Sequence, residues 1–425
     1  MPWLLIGYMF LFIDRPFEVW PWLGDLRFER IYMLCTIGAW CLSSGKRWIP
    51  NPQHVAYAGL AGAVLTCWVL SPWMDRSQPI IEDWFKILVF YILLVTTIHD
   101  EKGLKRLVVG FVFVMGLYLA HSLREYVGGR HTYRMGISRM IGVDRTLGDP
   151  NSFGASIVYS LPFIPALWRS GWEGRRGKFL ILTYAALAAL CILLTGSRSS
   201  LLGLLLFSMI LMLGHRRRFL WLLLFAAAAP IAFVALPDSL QTRFETIINP
   251  DAGPANAKES GEGRIEGLMN GFALWARSPL SGVGPGAWRP ATGSGVESHN
   301  LYGQILGELG SLGVLSFGFM LACFAWNLHR CRVIRRQMPQ QPNDLLSQIP
   351  YAVGFSVFLL LFMGNFGHNF FRFTWLWYGG FLIVARHCLE VRMAESYETS
   401  LEPEPEFEMD EEFKELPEGW VFHTG

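Results

Sequence analysis

Residues 263–290 read GRIEGLMNGFALWARSPLSGVGPGAWRP, and residues 297–321 read ESHNLYGQILGELGSLGVLSFGFML. Together they are a polar interruption, and then a return to apolar sequence, in a chain otherwise built of apolar runs. Ile265, Leu268, Met269, Phe272 and Trp275 or Ala276 fall at i, i+3, i+4, i+7 and i+10 or i+11. That spacing predicts an amphipathic helix lying on a membrane surface or against a bundle. Ser278-Pro279 ends it, and Gly282, Gly284, Pro285 and Gly286 turn the chain back. Ser298 is placed to cap the next helix, leaving His299 and Asn300 in its first turn, where free N–H groups would face an anion. Gly303, Gly307, Gly310 and Gly313 then recur at spacings of four and three, a stripe that lets another helix approach closely. Glu308 lies roughly half a turn around from His299 and, at that depth, needs a hydrogen-bonding partner on a neighbouring helix.

Outward from this stretch the composition sets the class. Of 425 residues, 52% are hydrophobic and 16% charged, with 17 Trp and 31 Phe, which excludes an ordinary soluble domain. Apolar runs of spanning length fall at about 1–13, 28–44, 52–74, 81–98, 104–126 and 152–168. Six more fall at about 179–196, 199–214, 219–236, 299–326, 349–366 and 371–388. The expected fold is all-α, a polytopic transmembrane bundle of about 12 spans with one long periplasmic loop carrying the amphipathic helix. Residues 1–236 form spans one to nine, 237–298 the loop with the active site, 299–389 the last three spans, and 390–425 an acidic disordered tail.

Charge gives the orientation. Residues 1–389 carry a net +12 and residues 390–425 a net −10, which together make the overall +2. With the N-terminus inside, the inner connections hold clusters such as Arg175-Arg176, Arg216-Arg217-Arg218 and Arg335-Arg336. This is the positive-inside pattern, and it places both termini in the cytoplasm. No cleavable leader is expected at the N-terminus. The seven cysteines fall in apolar spans or on the inner side, so no disulfides are expected.

Basic residues on the outer side run against that pattern. Arg130, Arg134, Arg139 and Arg145 precede Asp149, and Arg243, Lys258, Arg264, Arg277 and Arg289 populate the long loop. Solvated loops carry such charges freely. Arg198 differs, since it sits among Thr195, Gly196, Ser197, Ser199 and Ser200 in a hairpin of about six residues between two apolar runs. A helix-end arginine can snorkel to the headgroups; the functional reading is a fixed guanidinium facing a phosphate. Asp149-Pro150 is a helix-start signal in its own right.

No outer DxD pair, zinc-spaced His/Cys cluster or GxSxG occurs, so neither metal catalysis nor a serine nucleophile is suggested. Arginines and a histidine at one face suit displacement of a phosphate-borne leaving group, with guanidinium charge on the diphosphate and the imidazole as base.

The runs LLTGSRSSLLGLLL (193–206), GRIEGLMNGFALWARSPLSGVGPG (263–286) and SHNLYGQILGELGSLG (298–313) resemble the O-antigen ligase family and the related polysaccharide polymerases. The resemblance covers roughly residues 145–315. It implies a metal-independent, inverting glycosyltransferase acting on undecaprenyl diphosphate-linked glycans at the periplasmic face of the bacterial inner membrane. It makes Arg198 and Arg264 diphosphate ligands and His299 the base. Asn300, Glu308 and Arg145 are the candidate supporting residues read from the sequence itself. The partners the resemblance implies are a lipid-linked glycan donor, a polysaccharide, lipid or protein acceptor, and membrane lipids, with no cofactor, no metal and no nucleic acid. A polymerase using a second lipid-linked glycan is the runner-up. A transporter of an anion or lipid-linked sugar is the rival from another class, weakened by the lack of an inverted repeat.

Overall fold

A computed structural model describes residues 1–134, 137–144, 148–247, 249, 256–338 and 343–401. Arg145 and residues 402–425 of the acidic tail lie outside the described residues.

The described chain is helical, apart from one short hairpin. The N-terminal part holds α1 (Pro2–Ile13), α2 (Pro16–Val19), α3 (Pro21–Asp25), α4 (Phe28–Leu42) and α5 (Pro52–Val69). Two long helices follow, α6 (Met74–Thr97) and α7 (Glu101–Val127), then the hairpin β1 (His131–Arg134) and β2 (Ile137–Met140). Next come α8 (Pro150–Ser160), α9 (Phe163–Arg169), α10 (Gly174–Thr195), α11 (Arg198–Leu213) and α12 (Arg218–Val234). The long loop contains α13 (Asp238–Glu245), α14 (Asn256–Arg277) and α15 (Trp288–Thr292). The chain closes with α16 (Leu301–Gln337), α17 (Leu345–Gly364) and α18 (Thr374–Leu401).

Every apolar run of the sequence coincides with a helix, and the sixth is divided into α8 and α9. Among the described residues, four helices, α7, α10, α16 and α17, are long and apolar enough to cross a membrane. α18 continues to Leu401, past the boundary drawn at 389, so the first residues assigned to the tail are helical. The hairpin was not anticipated. It pairs Thr132 with Arg139 in antiparallel register and brings Arg139 beneath the α10–α11 turn.

The core is aromatic. Trp377 of α18 is fully buried, 4.3 Å from the Phe90 ring and 4.4 Å from Phe373. Such rings bury large apolar areas and fix α18 against α1 and α6.

The glycine stripe of α16 serves two purposes. A Cβ on Gly271 of α14 would sit 2.5 Å from the Cα and carbonyl oxygen of Gly303, and one on Gly307 would sit 3.3 Å from the Gly271 Cα. The two helices therefore meet backbone to backbone. Gly310 has φ 60° and ψ −153° and kinks α16, and the loop after α14 fills the break. Ser311 and Leu312 donate their amides to the carbonyls of Pro279 and Leu280, while Val283 and Gly284 donate to Gly307 and Glu308. Every backbone group that the kink frees on these residues is recovered by that exchange.

Candidate active site

Two carbonyls at the end of α10 are held by arginines. Gly196 caps the helix at φ 56°, a left-handed conformation that suits glycine. Arg139 Nε donates to the Thr195 carbonyl at 2.8 Å and Arg243 Nε to the Gly196 carbonyl at 2.5 Å. Those two arginines brace the turn. Ser197 then caps α11, accepting from the Ser200 amide, and Arg198 is the first helical residue. Arg198 is half-buried and its Nη1 donates to Thr246 Oγ1 at 3.0 Å, tying it to the segment after α13.

Arg264 reaches the same place from α14. Its guanidinium lies 4.9 Å from the centroid of the Phe366 ring. Burial, and then the charge of Arg198, lower its pKa to about 10. Two cations separated by 65 intervening residues are thus held close enough to repel, an arrangement that an anion between them relieves.

His299 lies one helical turn of α14 further on: the position of a Cβ on Gly267 is 3.4 Å from the His299 amide nitrogen. Here the structure corrects the sequence reading. The cap of α16 is Asn300, whose Oδ1 accepts from the Tyr302 and Gly303 amides at 2.9 and 3.0 Å. Ser298 instead bonds the Asn300 backbone on both sides, and His299 precedes the helix, exposed. Glu308 is buried, accepting from Gln304 Nε2 at 3.3 Å and from the backbone of Gly286 and Trp288. Its partners are its own helix, the glycine-rich loop and the first residue of the neighbouring α15. The amphipathic helix also differs: it begins at Asn256 and buries Gly267, Gly271 and Leu274, leaving Ile265, Met269 and Phe272 exposed.

His299 opens on a cleft with two lobes. One, of about 330 Å³, is lined by His299, Ser199, Tyr159 and Phe366. The other, of about 240 Å³, is lined by Asp83, Trp84, Asp144, Glu308 and Phe371. Asp149, Ser152, Glu297, His368 and Arg372 border both. Asp149 caps α8 as its sequence implied, accepting from Asn151 and Ser152.

His368 and Arg372 escaped the sequence reading. The His368 ring is 6.3 Å from that of His299 and opens into the cleft. Desolvation by the surrounding protein, then the charges of His299 and Arg372, hold its pKa down to about 4, while the side chain itself is exposed on the cleft. Arg372 is buried, with Nη1 donating to Ser156 Oγ at 2.5 Å and to the Ser152 carbonyl at 3.2 Å. Both stand in the short connection between α17 and α18, and a basic residue in a very short connection between apolar runs is the signal that singles out Arg198. Burial also raises the pKa of Glu297, opposed by Arg289, whose Nε is 2.8 Å away. Among the described residues, no three His, Cys, Asp or Glu side chains are grouped to hold a metal ion.

Residues 183–318 match the family model described as O-antigen ligase. That match covers about a third of the chain. No curated protein matches it. The matched segment contains Arg198, Arg264, His299, Asn300 and Glu308, and its helices close on Asp149, His368 and Arg372, which lie outside it. A membrane glycan ligase or polymerase is the activity class this family carries.

Proposed function

We propose that the protein transfers a glycan from undecaprenyl diphosphate to an acceptor at the periplasmic face, with inversion and without a metal. The convergence of Arg198 and Arg264 beside the His299 cleft carries this reading. Their two guanidinium groups take the diphosphate and stabilise its growing charge as it leaves. His299 removes the proton of the acceptor hydroxyl, whose oxygen attacks the anomeric carbon from the side opposite the departing diphosphate. One C–O bond forms, the C–O bond to phosphate breaks, and the proton stays on the imidazole. Asn300 fixes His299 by capping the helix behind it, and Glu308 fixes the loop.

The frame of this proposal is a twelve-span bundle in the inner membrane with both termini cytoplasmic and residues 237–298 outside. The exposed Ile265, Met269 and Phe272 then face the outer leaflet, where the lipid-linked donor resides. Incubation of the purified protein with a defined undecaprenyl diphosphate glycan tests it. Appearance of glycan on a lipid, protein or polysaccharide acceptor supports a ligase, and elongation of the lipid-linked glycan itself identifies a polymerase. Movement of intact donor across a vesicle membrane, with no covalent product, identifies a transporter.

A further inference from the structure

At the end of the bundle remote from His299, a cavity of about 450 Å³ opens between α9, α11, α16 and α17. That volume lies within the range of small-molecule sites, roughly 300–1,000 Å³. Its walls are apolar, with Leu211 of α11, Leu328 of α16 and Phe355 and Phe358 of α17. Arg169, Arg332 and Arg335 also line it, and none of its lining residues is acidic. Two carboxylates near this end are engaged elsewhere: Asp344 pairs with Arg392 at 2.7 Å and Glu390 with Arg386 at 2.8 Å.

Arg335 is the telling residue. Its guanidinium stands 5.1 Å from the centroid of the Tyr351 ring, and its Nε is sealed from water with no hydrogen-bond partner. A buried guanidinium nitrogen without an acceptor is costly. The three arginines call for an anion, and the walls call for a hydrocarbon. A soluble anion leaves the walls dry and unfilled, and a neutral alkyl chain leaves the arginines uncompensated.

We infer that this cavity holds an anionic phospholipid, its phosphate on Arg332 and Arg335 with Arg169 beside them, and an acyl chain along Leu211, Phe355 and Phe358. With the basic connections inside, the lipid belongs to the cytoplasmic leaflet. The site is distinct from the Arg198–Arg264 pair, since α11, α16 and α17 carry the two at opposite ends.

The test places the full-length protein in phosphatidylcholine nanodiscs with and without phosphatidylglycerol and counts retained lipid by native mass spectrometry. The parent retains phosphatidylglycerol in preference to phosphatidylcholine. Arg332→Gln with Arg335→Gln lowers that retention by about tenfold or more, and the double Lys variant keeps most of it. Leu211→Trp fills the cavity without touching a charge and also displaces the lipid, so the outcome does not depend on the arginine variant folding. Arg198→Ala retains lipid as the parent does. Equal retention of the two lipids by the parent overturns the site. So does loss with the glutamine variant but not with Leu211→Trp, which reduces it to surface charge.

Discussion

Gly271→Ala is the smallest change that moves the candidate site without touching a residue in it. The new methyl would stand 2.5 Å from the Gly303 Cα and carbonyl, about 1 Å short of the 3.5–4.0 Å at which carbon atoms rest. Both obstacles are backbone, so no side chain can turn away, and α14 must separate from α16. Overpacking of this kind costs about 1–3 kcal/mol of stability. The functional cost is larger. Arg264 rides on α14 over Phe366, and His299 abuts the same helix at Gly267. A displacement of about 1 Å at reacting groups costs on the order of 10²-fold in rate. Gly263→Ala, on the same helix, is the control, since its methyl meets no atom of the described residues within 4 Å. There alanine is expected to gain up to about 1 kcal/mol of helix propensity with transfer unimpaired. The assay is glycan transfer from a defined lipid diphosphate donor, with thermal melting alongside. Transfer by Gly271→Ala at the parent rate, with the protein folded, would refute the claim that this contact positions Arg264.

Four further outcomes are expected. Phe366→Leu removes the ring under Arg264 and weakens donor binding by about 0.5–2 kcal/mol, read by titration of donor. His368 is neutral in the folded protein down to about pH 4 but titrates near 6.5 when unfolded, so its contribution to stability is present above pH 6.5 and is lost as pH falls toward 4. His368→Gln should flatten the melting temperature over that window, and an unchanged pH profile counts against the assignment. Turnover persists in EDTA, because the two guanidiniums supply the charge the diphosphate needs; loss on chelation and recovery with Mg²⁺ would point to a metal. A cysteine at Gly293 reacts with an impermeant thiol reagent from the periplasmic side, and one at Ser400 does not; reversed labelling overturns the orientation.

The helices were legible because apolar runs of spanning length have few alternatives, and the Asp149 cap because Asp-Pro is a local signal. Arg198 was legible because it broke a charge rule in a hairpin too short to ignore. His368 and Arg372 stand in a comparable hairpin, but Arg372 is embedded in FFRFTW, which reads as the start of the last apolar run. Ser298 and Asn300 are both good caps two residues apart, and only the backbone distinguishes them: Asn300 is extended at φ −147° and takes the two amides. The Gly310 kink could not be read locally. It exists because residues 279–284 supply its hydrogen-bond partners, and a glycine in a regular stripe looks the same whether it admits a helix or a loop.

Donor affinity and single-turnover rate, measured side by side for Arg198→Ala, Arg264→Ala and His299→Ala, test the central claim most directly. Each arginine variant should lose about 1.5–3 kcal/mol of donor binding, with Lys restoring only part. His299→Ala should bind donor nearly as the parent does and transfer it about 10²–10⁴-fold more slowly. Transfer by His299→Ala at close to the parent rate contradicts the account and moves the search for a base to His368, its neighbour across the cleft.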